Sequence, residues 1–132
     1  MIIFSFYFKY KLSGAGHGEY GAKKTAEVFN QLHPQIIESS MLTIYKTSEL
    51  YQETQKGTWK EESEIEKLAE LKALIENLTI KTRIVTDGAS NLIQVRGNLP
   101  HDKKKLTDYL ARLIATADES ALREYRVHLK HL

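Results

Sequence analysis

Thr79-Ile80-Lys81-Thr82-Arg83-Ile84-Val85-Thr86 runs without a break into Asp87-Gly88-Ala89-Ser90-Asn91, and the reading of this join decides the fold. Ile80, Thr82, Ile84 and Thr86 recur at every second position, which places them on one face of a strand. The polar, glycine-containing stretch that follows is where a strand must end. The same join stands at the amino end. Ile2 to Leu12 is rich in aromatic and aliphatic residues and meets Gly14-Ala15-Gly16-His17-Gly18, where no regular element continues.

Working outward from these two joins, Ala22, Ala26, Phe29 and Leu32 are spaced by four and three, the stripe of one helix face. His33-Pro34 stops that helix, because a residue before proline avoids the helical region. Gln35 to Tyr45 carries Ile36, Ile37, Met41, Leu42, Ile44 and Tyr45 and reads as a second strand. Lys46 to Lys60 is polar around Gly57 and Trp59 and reads as a long irregular loop. Ser63-Glu64-Ile65-Glu66 matches a capping box, in which serine and glutamate satisfy each other's free amides. Ile65, Leu68, Leu71, Leu74, Ile75 and Leu78 extend it as a helix. Beyond Asn91, a short extended piece spans Leu92 to Gly97. Pro100 then suits the first turn of a last helix carrying Leu106, Tyr109, Leu110, Leu113 and Ile114. Asp118-Glu119-Ser120 interrupts it before Leu122, Tyr125 and Leu129.

The order strand, helix, strand, helix, strand, helix predicts an α/β fold of three parallel βα units joined by right-handed crossovers. A complete barrel of this kind repeats the unit about eight times over roughly 250 residues. Three strands leave sheet edges bare unless another chain covers them.

Composition sets the outer limits. The 132 residues are 42% hydrophobic and 27% charged, the arithmetic of one domain over 1–132. With no cysteine, disulfides and thiolate-held metals are excluded. A net charge of +2 and a pI near 8.7 fall short of the pI above about 9 that marks a nucleic-acid footprint. No apolar run approaches the roughly 18 residues of a membrane helix. Met1 to Phe8 lacks a leading basic region and is followed by Lys9-Tyr10-Lys11 in place of a cleavage site, so it does not read as an export signal. The expected compartment is the cytoplasm.

Several residue groups bear on chemistry. Gly16-His17-Gly18-Glu19-Tyr20-Gly21 is formally a G-x-G-x-x-G between strand and helix, with Glu38 about twenty residues on, the pattern of a dinucleotide-binding module. Glu19, however, projects negative charge where phosphate must lie, and a loop needing positive φ angles accounts for the glycines equally well. His17 lacks a partner by spacing, as do His33 and His101. Glu124, His128 and His131 share one helix face at intervals that suit a metal, or are simply solvated. Lys103-Lys104-Lys105 sits between Asp102 and Asp108 without aromatic interleaving and reads as a solvated face. Trp59 and Tyr51 offer an interaction surface or a packed cluster.

The combined order of motifs resembles a known family. Gly14-Ala15-Gly16, then Thr25 to Pro34, Leu42-Thr43-Ile44-Tyr45 with Ser48-Glu49-Leu50-Tyr51, Glu70 to Leu78, Thr86 to Asn91 and Val95 to Lys103 together resemble the later part of a radical S-adenosylmethionine (radical SAM) enzyme domain. The resemblance covers roughly residues 12–115. It implies a partial, half TIM-like barrel in which a 4Fe-4S cluster cleaves S-adenosylmethionine to a radical. That cluster requires three cysteines in C-x-x-x-C-x-x-C, and this chain has none. The resemblance therefore implies a carboxyl-terminal fragment, inert alone and expected to hold no cofactor alone. Its implied partner is a second copy or the missing amino-terminal half domain. Gly88 stands where relatives usually place a histidine, and Lys46-Thr47 where they often have Pro-Gly. Gly14 and Gly16, by backbone approach, and Asp87 and Asn91, by hydrogen bonding, are the positions expected to line a surviving cofactor-binding site. Two other functions remain open on the residues themselves: a small dinucleotide-binding module, and a non-enzymatic homo-oligomeric assembly module.

Overall fold

The computed structural model describes residues 5–10, as backbone alone from residue 6, and 12–129. Its elements are β1 (Ser5–Tyr10), α1 (Gly18–Leu32), β2 (Ile36–Met41), α2 (Glu49–Lys56), α3 (Glu64–Asn77), β3 (Thr82–Val85), β4 (Arg96–Leu99), α4 (Lys103–Thr116) and α5 (Glu119–Val127). The strands form one sheet in the order β1-β2-β3-β4. β1 and β3 each pair in parallel with β2, whereas β4 pairs antiparallel with β3, Val85 opposite Arg96 and Thr82 opposite Leu99.

This corrects the expectation of three parallel βα units in a half TIM-like barrel. The sheet is mixed, and the third strand is not followed by a crossover helix. Thr86 turns the chain back: its amide donates to the Val95 carbonyl at 2.9 Å, its hydroxyl accepts from the Val95 amide at 2.7 Å, and the same hydroxyl donates to the Ile93 carbonyl at 3.2 Å. The extended piece expected over Leu92 to Gly97 thus becomes a strand shifted toward Leu99. It occupies the edge beside β3 where a barrel would add a parallel strand.

Both parallel connections advance the same way across the sheet, and right-handed crossovers then put α1 and α3 on one face. α3 packs between α1 and α4. Ala22, Ala26 and Phe29 of α1, Leu68, Leu71, Leu74 and Ile75 of α3, and Leu106 and Leu110 of α4 are buried against Ile37, Met41, Ile84 and Leu99 of the sheet. The pleat alternation sends Glu38, Arg83, Arg96 and Asn98 to the other face, where they are exposed.

Local signals explain the helix boundaries. The Ser63 hydroxyl accepts from the Glu66 amide at 3.1 Å and the Glu66 carboxylate accepts from the Ser63 amide at 2.7 Å, completing the capping box. At the other end of α3, the Lys103 ammonium donates to the carbonyls of Glu76 and Leu78. α4 stops at Thr116, and Asp118 caps α5 by accepting from the Ala121 amide at 2.8 Å. Pro100 lies in the turn ahead of α4 instead of within its first turn. The segment Lys46 to Lys60, expected to be irregular, contains α2, capped by Ser48 and closed by Gly57 at φ +74°. α2 buries no residue, so it carries no apolar stripe by which to be read.

Candidate functional site

The carboxyl ends of β1, β2 and β3 bring together the segments where ligands bind in parallel sheets: residues 12–18, 42–48 and 86–95. Gly14 and Gly16 adopt φ of +82° and +81°, so the loop after β1 requires glycine at both positions. The Ala15 amide donates to the Lys60 carbonyl at 2.8 Å, and the Trp59 indole donates to the Leu12 carbonyl at 3.1 Å. A Cβ on Gly14 would lie 2.9 Å from Trp59 Nε1 and 3.1 Å from the Lys60 carbonyl, whereas one on Gly16 would meet open space. Gly14→Ala is therefore expected to lose about 2 kcal/mol of stability and Gly16→Ala about 1, the left-handed conformation alone accounting for the smaller figure. Thermal melts of the two variants check the difference.

Around the amino end of α1 the chain supplies its own anions. The Gly16 amide donates to Glu66 Oε1 at 2.9 Å. A Cβ on Gly18 would lie 1.8 Å from Glu62 Oε1 and 3.2 Å from Glu70 Oε2, and both glutamates are buried. With Glu19, Glu62 and Glu66 in its wall, the adjoining cavity of about 240 Å³ is acidic. Carboxylates occupy the ground that a pyrophosphate needs in a G-x-G-x-x-G site, where helix amides must face phosphate. Glu38, the acidic residue that completes that pattern, is exposed on β2.

Glu66 ties this loop to acid stability. The Ser63 amide holds the Glu66 carboxyl below its usual range, partial burial opposes the shift, and the Gly16 amide adds to it. A carboxyl with a folded pKa below its ordinary 4.5 contributes stability that is complete above 4.5 and is lost as pH falls through the lower folded value. Glu66→Gln should therefore flatten the acid limb of stability against pH below about 4.5, which urea titrations at stepped pH would read.

The loop after β3 is a second, separate cluster. Asn91 is buried; its Oδ1 accepts from the Met41 amide at 2.8 Å, and its Nδ2 donates to the carbonyls of Ser39 at 3.1 Å and Thr86 at 2.9 Å. The Ser90 hydroxyl donates to the Met41 carbonyl at 2.9 Å. Asn91 thus bolts the loop to the end of β2. Gly88 is drawn so near that a Cβ there would stand 3.0 Å from Ser40 Cβ, which accounts for glycine at this position. Asp87 faces Arg96, accepting from its Nε at 2.8 Å, and that hydrogen bond holds the Asp87 carboxyl below its usual range.

Of the four positions expected to line a site, Gly14 and Asn91 are built into the scaffold, while Gly16 and Asp87 engage Glu66 and Arg96. Gly16 is hydrogen-bonded to the capping box of α3, Gly14 lies against Trp59 and Lys60, and the polar pair is held to β2 and β4. The remaining candidates have local roles. The rings of His101 and His128 meet Asp102 and the Glu124 carbonyl at 2.9 and 2.8 Å, and Lys104 pairs with Asp108. His131 lies outside the described residues. Among those described, no group of three His, Asp or Glu side chains is placed to hold a metal.

A third cluster was not apparent in the sequence. Lys67, 1% exposed, pairs with Glu61 at 2.6 Å and Glu64 at 2.7 Å. Arg126 on α5 reaches the same two glutamates at 2.7 and 3.0 Å and donates to the Leu42 carbonyl. Burial pushes the Glu61 carboxyl up, but hydrogen bonds from Lys67 and Arg126 outweigh it and hold it below its usual range. Glu119 accepts from the amides of Glu64 at 2.8 Å and Ile65 at 2.9 Å, joining the start of α5 to the start of α3. In the sequence only the Glu64–Lys67 spacing hinted at this network.

No protein-family model, curated protein or solved structure matches the chain. No helix among the described residues is long and apolar enough to cross a membrane.

Proposed function

We propose that the chain is a carboxyl-terminal part of a radical SAM type protein, without redox chemistry of its own, that serves in the cytoplasm as a homo-oligomeric assembly module. The observation that carries this reading is the one-sided sheet: α1, α3 and α4 form one connected layer, while Glu38, Arg83 and Arg96 stand exposed on the opposite face. Glu38 and Arg83 have opposite charge and sit on neighbouring strands, so a second copy related by a two-fold axis can set each against the other. The glycine loop and the Asp87 loop, which carry much of the resemblance, engage groups of the chain itself, which suits a part without a cluster. The absence of cysteine bears on the non-redox part of the reading alone, since no thiolate is present to hold a 4Fe-4S cluster.

Light scattering at high protein concentration tests the assembly. A dimer that Arg83→Glu converts to monomer is the expected result, and a strictly monomeric wild type overturns the assembly reading. Anaerobic reconstitution with iron and sulfide tests the chemistry separately. No cluster absorption is expected; a cluster spectrum with reductive cleavage of S-adenosylmethionine overturns the non-catalytic reading.

A further inference from the structure

The ionic cluster between α3 and α5 borders a cavity of about 190 Å³ lined by Thr43, Ile44, Glu61, Glu64, Arg123, Arg126 and Val127. At roughly 30 Å³ per water in the liquid, this volume equals that of about six waters, the scale of a small organic molecule. Its wall is not satisfied by its own charges. Glu64 is fully buried, yet its Oε2 has no hydrogen-bond partner, and the same is true of Arg126 Nε. Arg123 is half-exposed, and its guanidinium comes no nearer than 4.0 Å to Glu61 and 3.8 Å to Glu64 and Glu119. Those separations exceed hydrogen-bond reach. The Arg123 guanidinium, and Glu61 Oε2 at 4.0 Å from it, are therefore the groups on the cavity wall with hydrogen-bonding capacity to spare, whereas the unpartnered atoms of Glu64 and Arg126 are sealed from it.

The charges nearly cancel. Glu61, Glu64 and Glu119 face Lys67, Arg123 and Arg126, so neither an anion nor a cation is favoured over the other. A molecule that carries both charges a few ångströms apart is favoured over either, because each of its ends finds an under-used partner. Ile44 and Val127 add apolar wall. We propose that this cavity binds a free α-amino acid with a small aliphatic side chain. Arg123 turns onto its carboxylate, Glu61 Oε2 accepts from its ammonium, and the side chain lies against Ile44 and Val127. This site is independent of the assembly reading, since it lies at the α3–α5 junction and not on the exposed sheet face.

Calorimetric titration of the full chain with L-valine tests the proposal, with N-acetyl-L-valine and L-valinamide as controls that each lack one charge. L-Valine is expected to bind with a dissociation constant in the millimolar range or tighter, and both capped forms at least about tenfold more weakly. Arg123→Gln removes only stretched contacts on a half-exposed side chain, so it should fold normally and weaken L-valine about tenfold or more. Absence of binding to the wild type overturns the proposal. So does equal binding of the capped forms, which would indicate apolar adhesion alone, or unchanged binding by Arg123→Gln, which would place the ligand elsewhere. Glu61→Gln, one-quarter exposed in its side chain, provides the matching test at the ammonium end, with L-valinamide and L-valine both weakened.

Discussion

Lys67→Ala should lower the stability of the chain by about 3 kcal/mol, the lower end of the range for removing one partner from a buried ion pair. Among the described residues Lys67 is the one cation almost wholly out of water, and it donates to Glu61 and Glu64 together. Without it, the buried Glu64 keeps a hydrogen bond from Arg126 and only a stretched contact with Arg123, and a carboxylate in low dielectric that has lost its shortest partner is costly. Arg126 moderates the loss, which is why the upper end of the range is not expected. Urea unfolding followed by circular dichroism reads the change as a fall in midpoint of about 1–2 M at unchanged slope. A fall smaller than about 0.3 M would mean that water reaches the pair and that the network is held by α5 packing instead.

Asn91→Ala should cost about as much, roughly 3 kcal/mol, for a different reason. The side chain satisfies one amide and one carbonyl of β2, those of Met41 and Ser39, and the Thr86 carbonyl in the loop joining β3 to β4. Truncation leaves each of these buried groups without its partner, at about 1 kcal/mol or more apiece. Asp87→Ala provides the contrast. Asp87 and Arg96 meet at the surface, and loss of an exposed pair is expected to leave the unfolding midpoint nearly unchanged. Equal, small effects for the two substitutions would show that Asn91 does not brace the sheet. The pairing of these variants separates a scaffold role from a ligand role, because a residue kept only for binding leaves the unfolding midpoint unmoved when it is removed.

The same contrast bears on the resemblance to radical SAM domains. Its quoted segments fall on real elements of the fold: Thr25 to Pro34 closes α1, Glu70 to Leu78 is the second half of α3, and Val95 to Lys103 spans β4 and the start of α4. The barrel geometry it implied is nevertheless replaced by a mixed sheet, because the Thr86–Val95 hydrogen bonds return the chain alongside β3. An antiparallel edge strand ends the parallel progression on that side of the sheet.

What the sequence determined by itself is local. The capping box Ser63–Glu66 and the stripe from Leu68 to Leu78 define α3, the two glycines after β1 define a loop with positive φ, Asp118 breaks the last helical run, and the lack of cysteine excludes thiolate chemistry. Each depends on contacts within a turn or two of chain, so spacing alone reveals it. Only the tertiary structure decided the reversal into β4, the carboxylates gathered under the glycine loop, the Asn91 brace and the charge network of Lys67 and Arg126. Asn91 meets Met41 across 50 positions, and Arg126 meets Leu42 across 84. Partners so far apart are selected by how the helices stack on the sheet, and that packing, unlike a period of 2 or 3.6, leaves no mark on either segment alone.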